Sequence, residues 1–510
     1  METSSAVPHV AFTYRPPNIN LTTKARYAYK ASVSGATFQC RLVLGHGTAT
    51  WRACPSDPGG TTGGRRYLHL KAERNAYHFQ VRAVSGGHVG PLADDPFRVY
   101  TVWAPGSFVP HTGASFNRPL GSKAHRRANL NRIIKTVNSM PGYRQAIPRT
   151  CPPVGPNTPG SIKISLYSLT DRAVADALRA ASHRCVSVQV LMNDHLNSAN
   201  DPAWRRLVSS LGSTVAVHGV ARRSFAHRCH HACRGSGVLH LKMFVFNSTV
   251  PKTGVNFIRH IVFTGSSNMT QNAAHVQWND LYAVRGNVQL FDQFTHQFNL
   301  MRLDNGYHRN PAYYNAAGGR YQTSFAPGPK GYDPYKRALR FVHCSGAAGG
   351  SGINGHTVLY INMHAWFGDR GNALASRVRQ LYNAGCYVRV LYSFMGYKHV
   401  YKKLVSGAST SRMIVRRTAF SHNGRTAAYY SHMKNLAISG HFGGDRAARV
   451  TFTGSNNWTD YGINFDEVVL RIMGISTYRS YRNHWLYINQ HHSSGVYANY
   501  GEPSGGGRVP

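Results

Sequence analysis

The sequence predicts an α/β protein. We expect two pseudo-symmetric halves built on mainly parallel sheets, preceded by a small all-β sandwich. Three observations carry this. Apolar runs of strand length alternate with helix-like stretches, and the alternation occurs twice. One short polar motif recurs at the same place in both stretches. The first 104 residues instead alternate apolar and polar side chains between Gly- and Pro-rich turns, the pattern of half-buried strands.

In order, residues 1–104 form the β-rich segment, with the clearest alternation at 36–42 and 77–84. Residues 105–150 read as a linker holding one basic helix, near 123–138. The first half, 151–303, runs strand 162–169, helix 171–183, strand 186–192, helix 202–211, then His240. Residues 304–340 form a linker rich in Tyr, Gly and Pro. The second half, 341–492, runs strand 356–363, helix 371–384, strand 387–393, helix 398–405, then His432. Strands that alternate with helices imply a parallel sheet covered on both faces. Each half closes on an amphipathic, helix-like stretch, 288–303 and 477–488. The Gly-rich tail, 493–510, is expected to be disordered.

Lys and Arg number 59 against 19 Asp and Glu, a formal charge of +40 over 510 residues. Such a field attracts polyanions, whether nucleic acid or an anionic surface. No apolar run approaches the length of a membrane span. Residues 1–10 carry no charged-then-apolar signal.

The eight cysteines fall into pairs by context. Cys40 and Cys54 share the β-rich segment. Cys151 precedes the first strand of its half and Cys185 ends the following helix. Cys344 and Cys386 repeat that arrangement in the second half. Cys229 and Cys233 form the fourth pair. Recurrent pairing reads as disulfides and an oxidising compartment, so we expect a secreted protein whose signal lies outside this sequence. Cys229-His230-His231-Ala232-Cys233 offers four soft ligands, but too tightly spaced for a typical structural zinc site. No carboxylate cluster of the kind a two-metal site needs accompanies the motifs. We expect no metal and no other cofactor.

The repeated motif is His240-Leu241-Lys242 with Gly265-Ser266-Ser267-Asn268, and His432-Met433-Lys434 with Gly454-Ser455-Asn456-Asn457. Each His-x-Lys opens a strand-like run, and each Gly-Ser-x-Asn follows another. A third His-x-Lys, His69-Leu70-Lys71, has no Gly-Ser-x-Asn behind it and reads as strand surface. Two His, two Lys and two Asn suit the attack on a phosphodiester. Lys242 and Lys434 can neutralise its oxygens, and Asn268 and Asn457 can donate to them. One imidazole can attack phosphorus while the other protonates the leaving oxygen. Each histidine needs a partner to fix its tautomer. Among only four glutamates and few aspartates, Asp280 and Glu467 follow the two motifs at similar distances. We expect one to orient each histidine, with Asp466 the runner-up in the second half. Ser266 and Ser455 read as supporting hydrogen-bond donors rather than nucleophiles.

These residues resemble the phospholipase D superfamily, whose signature is His-x-Lys-x4-Asp followed by Gly-Ser/Gly-x-Asn, present twice. The resemblance covers roughly residues 110–490. The acidic position is occupied by Asn247 and Ser439, which we place behind the phosphate site. The resemblance implies that His240 is the nucleophile, carrying a covalent phosphohistidine, and that His432 is the general acid and then base. In the β-rich segment, Thr37-Phe38-Gln39-Cys40, Trp51-Arg52-Ala53-Cys54 and Phe79-Gln80-Val81-Arg82-Ala83 resemble the immunoglobulin/fibronectin-III-like modules of secreted bacterial proteins.

The leading expectation is a monomeric, secreted phospholipase D-like phosphodiesterase acting on phospholipid headgroups, with possible transfer to an alcohol. A nuclease is the alternative that the charge favours, and the tyrosines of 307–335 suit a lipid interface or base stacking. The non-enzymatic alternative is a polyanion-binding protein with an inactive core.

Overall fold

The computed structural model describes residues 7–20, 23–71, 75–143, 151, 160–195, 198–217, 220–250, 257–310, 312–314 and 319–500. Expectations for the tail at 501–510, and for parts of the two linkers (144–150, 311, 315–318), lie outside the described residues. The chain divides into two compact units. One comprises Met1–Pro105, Pro141–Pro159 and His183–Val186; the other Gly106–Met140, Gly160–Ser182 and Ser187–Pro510.

The first unit is all-β in its N-terminal region. Strands Val10–Tyr14, Ala25–Ala31 and Thr62–Tyr67 form a three-stranded sheet. Ile19–Asn20, Ala93–Val99, Tyr77–Ser85, Thr37–Leu44 and Arg52–Cys54 form the second, with His88–Val89 attached to Tyr77–Ser85. Alternation supplies the core: Tyr27, Tyr29, Phe38, Phe79, Val81 and Ala83 are buried while their chain neighbours face outward. Tyr27 stacks on Phe79 at 4.0 Å. The buried Asp95 accepts from the Tyr27 hydroxyl at 3.0 Å and from Arg15 at 3.2 Å. The Cys40–Cys54 disulfide joins neighbouring strands of one sheet. Cys151–Cys185 also lies in this unit.

The second unit contains two sheets of matching order. The first runs Gly113–Phe116, Asp280–Arg285, Ile258–Gly265, Met243–Thr249, Ser161–Leu166, Ser187–Asn193, Phe225–Cys229. The second runs Ala312–Tyr314, Tyr321–Ala326, Glu467–Met473, Asp445–Gly454, Lys434–Phe442, Val358–Trp366, Tyr387–Met395, Met413–Arg417. The expectation of mainly parallel sheets is corrected. In each sheet only the last two pairings just given are parallel; the rest are antiparallel. Parallel neighbours need a long crossover, here through helices such as Arg172–His183 and Gly368–Asn383. The motif strand Lys434–Phe442 instead turns back directly into Asp445–Gly454, its antiparallel neighbour.

Two further segments differ from the sequence reading. Residues 494–500 do not form part of a disordered tail. Ser494 and Arg417 exchange backbone hydrogen bonds at 2.8 Å, and the Tyr497 hydroxyl donates to Met395 O at 2.7 Å. Near the Tyr-rich linker, Tyr321 is buried and Tyr332 lies within hydrogen-bond distance of Gln322 and Ser324. Those two rings are therefore engaged with protein.

Candidate active site

Each motif enters from the edge of a central strand. Lys242 directly precedes Met243–Thr249, and Lys434 opens Lys434–Phe442. The spacing of His and Lys by two residues sends both side chains to one side of an extended chain. Each histidine is held by the opposite half of the molecule. The His240 peptide N–H donates to Asp466 O at 3.0 Å, and that of His432 to Trp278 O at 2.9 Å. The glycine of each Gly-Ser-x-Asn lies against backbone. A Cβ on Gly265 would come within 2.5 Å of Asp280 O, and one on Gly454 would collide with Val468 O.

The imidazoles have unequal partners. His240 Nδ1 lies 2.7 Å from Glu467 Oε1, at hydrogen-bond distance, with both side chains almost fully buried. Ser455 Oγ donates to the other carboxylate oxygen and accepts from Val468 N at 3.1 Å. Glu467 thus orients the histidine of the first half. His432 Nδ1 faces Asn279 Oδ1 at 2.9 Å and Ser266 O at 3.0 Å. Ser266 Oγ donates to the same Asn279 oxygen at 3.0 Å and accepts from Asp280 N at 3.1 Å. Asn279 therefore occupies the place of Glu467 in the pseudo-symmetric pattern, and Asp280 corresponds to Val468. The expectation that Asp280 orients a histidine is corrected. Its carboxylate accepts from Ser266 N at 3.3 Å, the Tyr481 hydroxyl at 2.6 Å and Thr453 Oγ1. An amide stands here where the other half has a carboxylate, so the chemical pattern of the sequence does not reveal it. The signal was present: one residue beyond Trp278 corresponds to one residue beyond Asp466.

The two motif lysines act on both imidazoles. Lys242 and Lys434 are fully buried, and each Nζ donates to the carbonyl of its own motif histidine, Lys434 at 2.7 Å. Asn268 and Asn457 are 8% and 5% exposed. Asn457 Oδ1 accepts from Ala365 N at 3.3 Å. Arg370 braces that loop: Nη1 donates to Asn457 O at 2.6 Å, Nη2 to Asn456 Oδ1 at 3.1 Å, and Nε to Asp333 at 2.7 Å. Tyr167 lies edge-on to His240, with ring centroids 5.3 Å apart, and His364 edge-on to His432 at 4.5 Å. Strand register makes Tyr167 and His364 counterparts. His195 stacks on Tyr167 at 3.9 Å. The sequence reading named none of Tyr167, His195, His364 or Arg370. They come from a strand, loops and the helix Gly368–Asn383, none of which carries a motif.

Burial sets the protonation states. Both motif histidines are held well below the ordinary imidazole range. Burial acts first, followed by Lys242 and Lys434 at His240, and by Lys434, His364 and Lys242 at His432. Burial pushes the Glu467 carboxyl up to about 8, opposed by Lys242, the Ser455 hydrogen bond and Lys434. His195 falls to about 4, again chiefly through burial. Two buried lysines thus stand beside imidazoles that burial favours in the neutral form.

Asp466 serves another purpose than the one considered for it. It accepts from Cys233 N at 2.7 Å and Arg234 N at 3.2 Å, clamping the loop that precedes His240. Burial raises it to about 7. That loop is closed by the Cys229–Cys233 disulfide, and Cys344–Cys386 spans the second half. His227, Cys229 and Asp304 converge as a three-ligand group, but the Cys229 sulfur is bonded to Cys233 and is no thiolate. Asn247 and Ser439 are not brought to the phosphate site. Asn247 Oδ1 accepts from Ser161 N at 2.7 Å, and Ser439 Oγ from Gly352 N at 3.0 Å. Both tie neighbouring backbone.

Residues 157–302 match the family model described as cardiolipin synthase, PLD-like domain. No curated protein matches the chain. Similar solved structures include the polyphosphate kinase of Porphyromonas gingivalis, at 12% identity and TM-score 0.45, covering 76% of this chain and 52% of that one. This chain thus spans about half the length of that kinase. NucT from Helicobacter pylori is 18% identical, with TM-score 0.23, over 38% of this chain and 98% of its own. Nuc from Salmonella typhimurium, described as a phospholipase D family member, is 18% identical, with TM-score 0.23, over 37% and 93%.

Proposed function

We propose that this chain, whose residues 157–302 form a phospholipase D-like domain, is a phosphodiesterase working through a phosphohistidine on His240. The observation that carries the reading is the pair of unequal histidines. A carboxylate behind Nδ1 stabilises positive charge on the ring as Nε2 bonds to phosphorus. Glu467, once ionised, provides that behind His240. A neutral amide gives less such support, so a proton on His432 is more readily given up, as a general acid requires.

In this mechanism the phosphodiester sits between Lys242 and Lys434, with Asn268 and Asn457 donating to its oxygens. His240 Nε2 attacks, the P–N bond forms, and the P–O bond to the leaving group breaks as His432 delivers its proton. Water then enters. His432 takes one of its protons, oxygen bonds to phosphorus, and the P–N pair returns to His240. The lysines and asparagines supply the charge stabilisation that a metal gives elsewhere.

Phospholipid headgroups are the substrate class suggested by the cardiolipin synthase-type domain. Nucleic acid is the second reading, favoured by the +40 charge. The four disulfides support residence in an oxidising compartment outside the cytosol. The test is turnover by wild type and His240→Ala, with EDTA present, of phosphatidylcholine vesicles, DNA and a bis(aryl) phosphodiester. Turnover by wild type alone is expected, and the preferred substrate decides the class. Equal turnover by the variant sinks the mechanism. Failure on all three leaves the inactive polyanion-binding protein as the better account.

A further inference from the structure

The N-terminal unit carries a cleft of about 910 Å³ over its three-stranded sheet. Alternation along Ala25–Ala31 turns Tyr27 and Tyr29 into the core and leaves Arg26, Ala28 and Lys30 on the outer face. In register, Ala28 lies between Tyr14 on one neighbouring strand and Gly64 on the other. The floor of the trough is therefore made of two small residues, with Tyr14, half exposed, at its side. One step along the same face, Arg26 and Arg66 are direct cross-strand partners, both exposed. Lys24 also lines the cleft, against one carboxylate among the described residues, Asp57, which already accepts from Thr62.

Like charges placed directly opposite on a sheet destabilise it. Among the described residues, neither Arg26 nor Arg66 has a carboxylate at ion-pair distance. An anionic ligand would offset that repulsion. A concave trough suits a strand better than the plane of a bilayer. Cations beside an exposed aromatic ring, with Arg26 at 5.8 Å from the Tyr14 centroid, match the chemistry of phosphates flanked by stacking bases. We propose that this trough binds a single strand of nucleic acid, with Arg26 and Arg66 on its phosphates and a base on Tyr14.

The test uses the full chain in a His240→Ala background, so that the probe survives, and a fluorescent dT oligonucleotide of about 15 residues. Anisotropy titrations at several salt concentrations compare Arg26→Ala/Arg66→Ala with the control Arg52→Ala/Lys71→Ala, whose residues are exposed on the same unit. The first pair should weaken binding by about tenfold or more. It should also flatten the salt slope by about 1.4, roughly 0.7 for each phosphate no longer neutralised. Tyr14→Ala should cost about 5- to 150-fold, the range for losing one stacked base. Unchanged melting temperatures establish that each variant is folded. Equal effects of the two pairs overturn the proposal. So does an oligonucleotide affinity insensitive to Tyr14→Ala, which would assign the trough to charge alone, as for a sulfated polysaccharide.

Discussion

Glu467→Gln is the sharpest single perturbation of the proposed mechanism. Gln keeps the shape and an acceptor oxygen for His240 Nδ1, but it removes the negative charge 2.7 Å from the ring. The bond is buried and charge-assisted, with side chains 6% and 3% exposed. A buried hydrogen bond to a charged group contributes about 1.5–3 kcal/mol. If that is realised as the ring becomes cationic in the transition state, kcat/KM falls about 10- to 150-fold. The pH profile offers a second reading. The Glu467 carboxyl is raised to about 8 by burial. The proton it retains below that pH must leave before Nδ1–H can donate to a carboxylate and free the Nε2 lone pair. With an aryl leaving group, which needs no acid, wild-type kcat/KM should therefore rise with pH through about 8, and the variant should lose that rise. The assay is kcat/KM for a bis(aryl) phosphodiester between about pH 6 and pH 10. A variant that keeps both the wild-type rate and the wild-type rise would refute the assignment of Glu467.

The other expectations concern neighbouring groups. His432→Ala should release about one equivalent of phenolate per site from an aryl substrate and then stall, because no base activates water against the phosphohistidine; steady turnover without a burst would contradict this. Asn279→Asp places a carboxylate behind His432 and should raise its pKa, seen as an upward shift of its imidazole titration by NMR. The same change removes amide donors to Ala273 O and Gln277 Oε1, both at 3.2 Å, at a cost of about 1–3 kcal/mol in stability. Asp466→Asn tests the loop clamp. Folding raises the Asp466 pKa from 3.8 to about 7, so the folded state binds the extra proton in that window and wild-type stability falls as pH rises through it. The melting-temperature difference, variant minus wild type, should thus grow between about pH 4 and pH 8; a constant difference would show that Asp466 is ionised throughout.

The residues of the proposed chemistry were largely legible in the sequence, because they sit in two short motifs beside strands whose apolar runs are easily read. The partner of each histidine was not. Glu467 supports His240 from the other half of the molecule, a pairing that no local spacing reveals. Asn279 escaped because an amide in the place of a carboxylate breaks the chemical pattern while preserving the geometric one. Tyr167 and His364 are strand-end residues that become neighbours of the histidines only through register. The sheets were misjudged for a related reason. The early strands of each half, joined by helices, are parallel, whereas the motif-bearing strands are a meander. The disulfides were readable because cysteine placement repeats between the halves.

The lysines proposed to hold the phosphate also complicate the proton transfers, and this yields the last test. Lys434 and Lys242 help to hold His432 well below the ordinary imidazole range, while burial holds Glu467 up at about 8. An alkyl leaving group needs His432 protonated and Glu467 ionised together. In the free enzyme that combination is a minor microstate, since the acid titrates below the base. Its fraction is constant between the two pKa values and falls outside them. For an alkyl phosphodiester, kcat/KM should therefore be flat below about 8 and decline above it, where the aryl profile rises. The two curves should diverge around the pKa of one carboxyl group. A bound phosphodiester brings a negative charge to His432, which raises its pKa and enlarges the productive fraction, so kcat should persist to higher pH than kcat/KM. If aryl and alkyl substrates rise together through about 8, the leaving group receives no proton from His432 and the division of labour between the histidines is wrong.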